Sequence, residues 1–209
     1  MKPANIVYFA LLASPLTTAA PLSAPVNKPR ALTERHLGSF VDETIKHVIE
    51  SVIDSTNSLQ MAVSGWSGKV ADTAPILAGS DGVLKSLKSG TATIEQANDL
   101  SLVGLLGIVI PTIHLNEAVE GVSDALIDKK PQFAAAGLST VVLGQLQDQR
   151  KAAQAMVDTL LTKMPSYTTS LGELLSAPSL KSLDEAIDVY SAKGWKDPDH
   201  TIVSGRAQG

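Results

Sequence analysis

Apolar residues recur at intervals of three and four along most of this chain, and that spacing restricts its fold more than any other feature. In the first such segment the repeat is carried by Val41, Ile45, Val48, Ile49, Val52, Ile53, Leu59 and Val63. Positions three and four apart share one face of an α-helix, whereas a half-buried strand needs strict alternation. Further stripes occupy residues 76–87, 115–127, 142–164 and 171–190. The pattern predicts an all-α, antiparallel bundle of about five amphipathic helices.

The core of this bundle has to be aliphatic, because hydrophobic residues make up 44% of the chain and aromatic residues only 4%. The formal net charge is −4, and no basic run is longer than Lys129-Lys130, so the dense positive footprint of a nucleic-acid-binding protein is missing. The chain has no cysteine, which excludes a disulfide framework and a thiolate metal site.

One run, Leu100–Ile110, is apolar on nearly every face. We expect it in the middle of the bundle, since it is too short to span a bilayer, and we expect Pro111 to break or kink its helix. Gly104 and Gly107 remove side-chain volume from this run, at about 1 kcal/mol each in helix stability. The small residues and the bend either leave an aliphatic tunnel, a central apolar cavity, or merely let two helices approach closely.

Other residues predict where helices begin and end. Gly90 is expected to end the second helix, and Thr93 with Gln96 to form the capping box of the third. Ser139 is expected to cap the long helix that Pro165 terminates.

The N-terminus predicts secretion. Residues 1–19 combine a short positive start, a mostly apolar stretch and small residues suited to a signal peptidase, with cleavage expected after Ala19. Residues 20–38 are expected to be a flexible lead-in, residues 39–193 the helical domain, and residues 194–209 a polar tail without a lipid-anchor signal.

Motifs for catalysis or metal binding are weak. Glu43, His47 and Glu50 share neighbouring turns, but no spacing suggests a further ligand, so an exposed face with local ion pairs is the favoured interpretation. The glycine-flanked serines at 65–68 and 79–82 lack the strand that a nucleophile elbow or phosphate loop requires. We therefore predict no catalytic residue, metal site or cofactor, and keep an esterase only as the least favoured alternative.

Several segments carry a family resemblance: Leu87–Ile94, Asp124–Phe133, Ala136–Ser139, Val141–Leu143 and Leu146–Ala153. On these segments the chain resembles the hydrophobic surface binding protein A family, which includes the antigenic cell-wall galactomannoproteins of moulds. The resemblance covers most of residues 39–192. It implies a secreted helical domain whose relatives bind fatty acids, arachidonic acid among them, in a central apolar cavity. It also implies adsorption to hydrophobic solids and recruitment of a secreted esterase.

We therefore predict a secreted, non-enzymatic protein that binds a long-chain fatty acid or similar lipid, associated with the cell wall without a lipid anchor and without spanning a membrane. Each buried methylene contributes about 0.8 kcal/mol to such binding. The alternative is a surface-active adhesin that coats hydrophobic solids. The apolar residues expected to line the cavity are Ile45, Val48, Val52, Leu84, Leu87, Leu102, Leu106, Ile110, Val119, Leu146, Met156 and Leu160.

Overall fold

The computed structural model describes residues 43–191, and no β-strand occurs among them. Short 3-10 turns at Val70–Asp72 and Ser166–Thr168 accompany the helices. The helices are α1 (Glu43–Ser64), α2 (Ala74–Gln96), α3 (Leu102–Asp128), α4 (Lys130–Ala135), α5 (Ser139–Thr162) and α6 (Thr169–Tyr190). The all-α prediction is confirmed. The predicted signal, lead-in and polar tail lie outside the described residues.

The five long helices form a closed ring. Helix α1 packs between α2 and α3, helix α6 packs between α3 and α5, and α2 completes the circle against α5. Because every long helix belongs to the ring, none lies at its centre, and each keeps one face toward solvent.

Helices that follow one another in the chain alternate in direction, as short connections require. Helices α3 and α6 are ring neighbours but not consecutive, and they run parallel. Asn116 contacts Ser179, and about three turns further along both helices Tyr190 contacts Leu126. We call the end that holds the first residues of α1, α3 and α6 the lower end, and the end that holds their last residues the upper end.

An aromatic cluster of Trp66, Phe133 and Tyr190 closes the upper end. Trp66 stacks on Phe133 with ring centroids 4.4 Å apart, and Phe133 meets the edge of Tyr190 at 6.4 Å. The Tyr190 hydroxyl donates a hydrogen bond to the Leu126 carbonyl at 2.6 Å. Burial raises the pKa of the Tyr190 phenol above its ordinary value, because the phenolate would lose its hydration.

Lys129, at the junction of α3 and α4, and Lys130, the first residue of α4, hold the aromatic cluster in place. Lys129 Nζ donates to the Trp66 carbonyl at 3.0 Å, and Lys130 Nζ donates to the carbonyl of Val189 near the end of α6. Burial lowers the pKa of the Lys130 ammonium. The Lys-Lys-Pro segment therefore serves to hold the ends of α1, α3 and α6 together.

The prediction that Gly90 ends the second helix is wrong, since α2 continues to Gln96. A Cβ at Gly90 would lie 2.7 Å from Cγ1 of Val48, and a Cβ at Gly79 would lie 3.1 Å from the Leu59 backbone. These glycines are therefore sites where α1 and α2 approach closely, and the same lack of a side chain suggested a helix end from the sequence.

The predicted capping box of α3 is also wrong, and of the two outcomes expected at Pro111, a break or a kink, the break does not occur. Thr93 lies inside α2, where its hydroxyl donates to the Ser89 carbonyl at 2.9 Å. Ser101 caps α3 instead, its Oγ accepting from the Gly104 amide at 3.1 Å. Helix α3 then continues through Pro111, and α5 begins at Ser139 without a side-chain cap.

Helix α3 runs unbroken for 27 residues and is much longer than its apolar run Leu100–Ile110. Its length therefore does not exclude a bilayer span. Within the described residues α3 is the one helix long and apolar enough, by length and composition alone, to cross a membrane. The core helix of a soluble protein passes the same test, so this finding decides nothing by itself.

The expected place of the central run in the middle of the bundle is wrong for part of it. Gly104, Leu105 and Ile108 are buried, but Leu102, Leu106 and Ile110 are 53%, 70% and 58% exposed. The physical reason is the ring, in which α3 contacts α1 and α6 with one side, while no long helix within residues 43–191 packs on the other. Exposed apolar residues at the lower ends of α3 and α6 form what we call the α3–α6 strip: Leu102, Val103, Leu106, Ile110, Ile113, Tyr167, Leu171 and Leu174.

Candidate functional site

A cavity lies inside the ring and is walled by all five long helices. Its apolar lining residues are Ile49, Val52, Leu59, Val83, Leu87, Leu115, Val119, Val122, Ala153, Met156, Val157, Leu160, Leu180 and Leu183. No Lys, Arg, Asp, Glu or His is among the lining residues. Such a wall suits a hydrocarbon chain, whose burial is driven by release from water.

Polar side chains in the cavity wall are few, and their N–H and O–H groups donate to other protein atoms and not into the cavity. The hydroxyls of Thr56, Thr112 and Ser176 donate to the carbonyls one turn back in their own helices, at 2.8, 2.7 and 2.9 Å. Asn116 Nδ2 donates to the Leu175 carbonyl at 2.9 Å, and Ser179 donates to Asn116 Oδ1. An ionised carboxylate deep in the cavity would therefore find few free donors, and its burial would be costly.

The cavity wall is least buried along the seam between α5 and α6 and on α3 beside it, where Leu115 and Asn116 are also half-buried. Lining residues contributed by α1 and α2 are buried, whereas several on α5 and α6 are only half-buried, namely Ala153, Val157, Leu160, Ser176 and Leu180. Two contacts pin this seam on either side of them. Toward the upper end, Arg150 Nε pairs with Asp184 Oδ1 at 2.8 Å. Toward the lower end, a Cβ at Gly172 would lie 2.6 Å from Leu161, so the helices approach closely there.

A smaller apolar chamber, bordered by the exposed residues Leu77 and Val141, lies nearer the upper end between α1, α2, α3 and α5. It shares Leu59 and Gln149 with the main cavity. Its lining residues are Leu59, Ile76, Leu77, Ser80, Leu126, Val141, Val142, Gln145, Leu146 and Gln149.

The residues predicted to line the cavity fall into five groups. Ile45 and Val48 are buried in the core away from the cavity wall, Leu146 lines the smaller chamber, and Leu84 lines a groove on the outer side of α2 and α5. Leu102, Leu106 and Ile110 belong to the exposed strip, so their expected place in the cavity is corrected. The structure brings the remaining predicted residues together in the cavity wall: Val52, Leu87, Val119, Met156 and Leu160.

Sequence reasoning missed the contribution of α6 and the polar positions. Leu180 and Leu183 lie on a predicted stripe, but periodicity does not tell which stripes meet. The cavity begins at Thr112, just after Pro111, rather than beside Gly104 or Gly107. Gln149 lies three residues after Leu146 and seven before Met156, so its position on the apolar stripe of α5 was the sequence signal for a polar wall residue.

The His47 cluster is an exposed ion-pair group. His47 Nδ1 lies 3.1 Å from Glu50 Oε2, and its Nε2 lies 4.0 Å from Glu43 Oε2. Across residues 43–191, no three His, Cys, Asp or Glu side chains come together as a metal site would require.

A closed ring of five helices around an uncharged apolar cavity defines a class of helical proteins whose interior can accept a hydrocarbon chain. The sequence model for "Hydrophobic surface binding protein A" matches residues 43–162. The chain belongs to this family.

Relatives of known sequence are fungal. The chain is 30% identical over 143 residues to cell wall mannoprotein 1 of Aspergillus fumigatus, covering 68% of this chain and 50% of that protein. It is 26% identical over 143 residues to cell wall mannoprotein 1 of Aspergillus flavus, covering 68% and 52%. The chain thus spans about half the length of the curated relatives it matches.

Solved structures share the fold. Ligand binding domain 1 of the Penicillium marneffei MP1 protein, complexed with arachidonic acids, superposes with a TM-score of 0.68 at 24% identity, covering 72% of this chain and 99% of that one. AFMP4P in complex with palmitic acid also gives a TM-score of 0.68, at 19% identity and with the same coverage. The expected helical bundle and the family resemblance are confirmed.

Proposed function

We propose that the domain binds the acyl chain of a long-chain fatty acid, or a similar lipid, in the cavity between its five long helices. The observation that carries this proposal is the cavity wall, which is apolar and free of charged side chains. The fatty acids held by two structures of the same fold support it. We further propose that the carboxylate lies at the α5–α6 seam, because the half-buried wall residues there give it access to water.

The proposed activity is binding without a chemical step, in a secreted protein of the fungal cell wall or its surroundings. The names of the relatives support this location. A model ester incubated with the protein should remain intact, and hydrolysis that depends on a serine of this chain would restore the esterase alternative.

Two alanine variants on α5 test the cavity directly. Ala153 lines the cavity, whereas Ala155 is exposed and faces away from it. Ala153→Leu fills part of the cavity and should weaken palmitic acid binding at least tenfold, while Ala155→Leu should bind like the wild type. Titration of delipidated protein with palmitic acid measures both. Failure of the wild type to bind any fatty acid, or equal affinities in the two variants, would contradict the proposal.

A second candidate function, adsorption to hydrophobic solids, is favoured by the α3–α6 strip. Leu106 and Leu174 are 70% and 71% exposed on neighbouring parallel helices. Between Asp99 and Glu117 the chain carries no Lys, Arg, Asp or Glu. On the α6 side, Glu173 is an exposed charge between Leu171 and Leu174. The apolar part of this surface adsorbs to hydrocarbon or polyester because both partners lose contact with water.

Depletion of the protein from solution by polyester film tests the adsorption. The double variant Leu106→Gln with Leu174→Gln should remain in solution, whereas Met61→Gln, which changes an equally exposed residue of α1 outside the strip, should adsorb like the wild type. Equal adsorption of all three proteins would show that the α3–α6 strip is not the surface that adsorbs. Recruitment of a secreted esterase stays a prediction.

A further inference from the structure

A polar contact separates the main cavity from the smaller chamber. Gln149 is 4% exposed and lines both spaces, together with Leu59 from the opposite wall. Gln149 Nε2 donates to Ser80 Oγ at 2.8 Å, and Ser80 Oγ donates to Gln145 Oε1 at 2.8 Å. This chain of hydrogen bonds ties α5 to α2 at the boundary between the two spaces.

The same hydrogen bonds fix the orientation of the Gln149 amide. Its Nε2 also lies 3.4 Å from the Ser80 carbonyl oxygen, so a flipped amide would place two acceptors against each other. Of the amide's atoms, only Oε1 has no hydrogen bond to the described residues. An acceptor repels a carboxylate, so the headgroup of a bound fatty acid belongs at the seam and the methyl end points toward Gln149.

We propose that Gln149, backed by Leu59, acts as a partition that limits the length of acyl chain the cavity accepts. This inference rests on the proposed fatty-acid binding and specifies its chain-length preference. Beyond the partition the smaller chamber follows α5 from Gln149 back to Val142, about 10 Å at the helical rise of 1.5 Å per residue. A tail that passed the partition would enter a second apolar space.

The test is a competition in which delipidated protein is offered an equimolar mixture of saturated fatty acids from lauric to behenic acid, and bound species are read by native mass spectrometry. Gln149→Ala removes the bulk of the partition and leaves the Ser80–Gln145 hydrogen bond in place, so no buried hydroxyl loses its acceptor. Gln149→Leu is the matched control, because it removes the amide but keeps a side chain of similar size.

The wild type should show an upper limit of chain length, and Gln149→Ala should shift that limit to longer chains. Each additional methylene that enters the chamber should raise relative affinity by about fourfold. Gln149→Leu should keep the limit of the wild type. Leu59→Ala, which opens the partition from α1, should shift the limit in the same direction and provides a second opening variant if Gln149→Ala folds poorly.

An unchanged length distribution in both alanine variants would overturn the partition while leaving fatty-acid binding intact. A shift of the same size in Gln149→Leu would overturn it too, because polarity rather than bulk would then set the limit. A wild type that binds none of these fatty acids would overturn the proposed function itself, and the partition with it.

Discussion

Single hydroxyl and amide groups set the polarity of the cavity wall. Thr56, Thr112 and Ser176 direct their hydrogens at backbone carbonyls, so they present mainly oxygen lone pairs to the cavity. Lone pairs tolerate a hydrocarbon chain nearby and disfavour a carboxylate. Stripe periodicity could not predict this, because these polar residues occupy positions on or beside apolar stripes and their donors are satisfied only in the folded helix.

The Tyr190 hydroxyl yields a prediction at the same scale. Tyr190→Phe removes the buried hydrogen bond to the Leu126 carbonyl and should lower the free energy of unfolding by about 1 kcal/mol at neutral pH. Chemical denaturation of both proteins measures this difference. A change near zero would mean that the hydroxyl contributes nothing to the closure of the upper end.

The pH dependence of that difference follows from the raised pKa of Tyr190, which burial causes. A group whose pKa is higher in the folded protein contributes stability that is full below its unfolded pKa and is lost as the pH rises further. The advantage of the wild type over Tyr190→Phe should therefore shrink above about pH 10, the ordinary tyrosine pKa. A difference in the free energy of unfolding between wild type and Tyr190→Phe that stays constant above pH 10 would contradict this.

At the scale of the helices, periodicity predicted where the apolar stripes occur. It did not predict whether a glycine or a proline ends a helix or lies inside one. Val52, Leu87 and Met156 were predicted for the cavity because they lie on regular stripes of α1, α2 and α5, and the structure places them in its wall. Gly90 was expected to end a helix and Pro111 to break or kink one, and both helices continue past these residues. Whether a glycine ends a helix or admits a neighbouring one depends on tertiary contacts that a local pattern does not contain.

Two glycines of α2 allow an experimental test of which one is required for close packing against a neighbouring helix. A Cβ at Gly82 would meet nothing within 4 Å, whereas a Cβ at Gly90 would collide with Val48 at 2.7 Å. Gly82→Ala should stabilise the protein by about 0.5 to 1 kcal/mol through helix propensity. Gly90→Ala gains the same propensity but should destabilise overall, because overpacking costs about 1 to 3 kcal/mol. Thermal unfolding ranks the two variants, and equal stabilities would argue against close packing of α1 on α2.

At the scale of the whole molecule, the ring explains both the cavity and the exposed strip. Five helices around one axis leave a space that none of them fills, and they also leave an outer face on the most apolar helix. The number and type of helices could be predicted from periodicity, but their order around the ring could not, since α3 and α6 are neighbours despite α5 lying between them in the chain.

Binding in the central cavity should stabilise the entire ring, because a ligand there contacts all five long helices. Palmitic acid at about 100 times its dissociation constant should add about 2.7 kcal/mol to the free energy of unfolding. For a domain of this size that corresponds to a rise in Tm of about 5 to 10 °C. Differential scanning fluorimetry measures the shift in Tm, with Ala153→Leu as the comparison. A wild-type Tm that does not change when palmitic acid is added would contradict binding inside the ring.

The odd number of long helices also determines where the first and last residues of the ring lie. Glu43 begins α1 at the lower end and Tyr190 finishes α6 at the upper end, so the polypeptide enters and leaves the ring at opposite poles. The 22 residues of α6 alone span about 33 Å at 1.5 Å per residue. Fluorophores at Glu43 and Ser191 would therefore report a separation of about the length of one helix, and not the short distance expected if both residues lay at the same end of the ring.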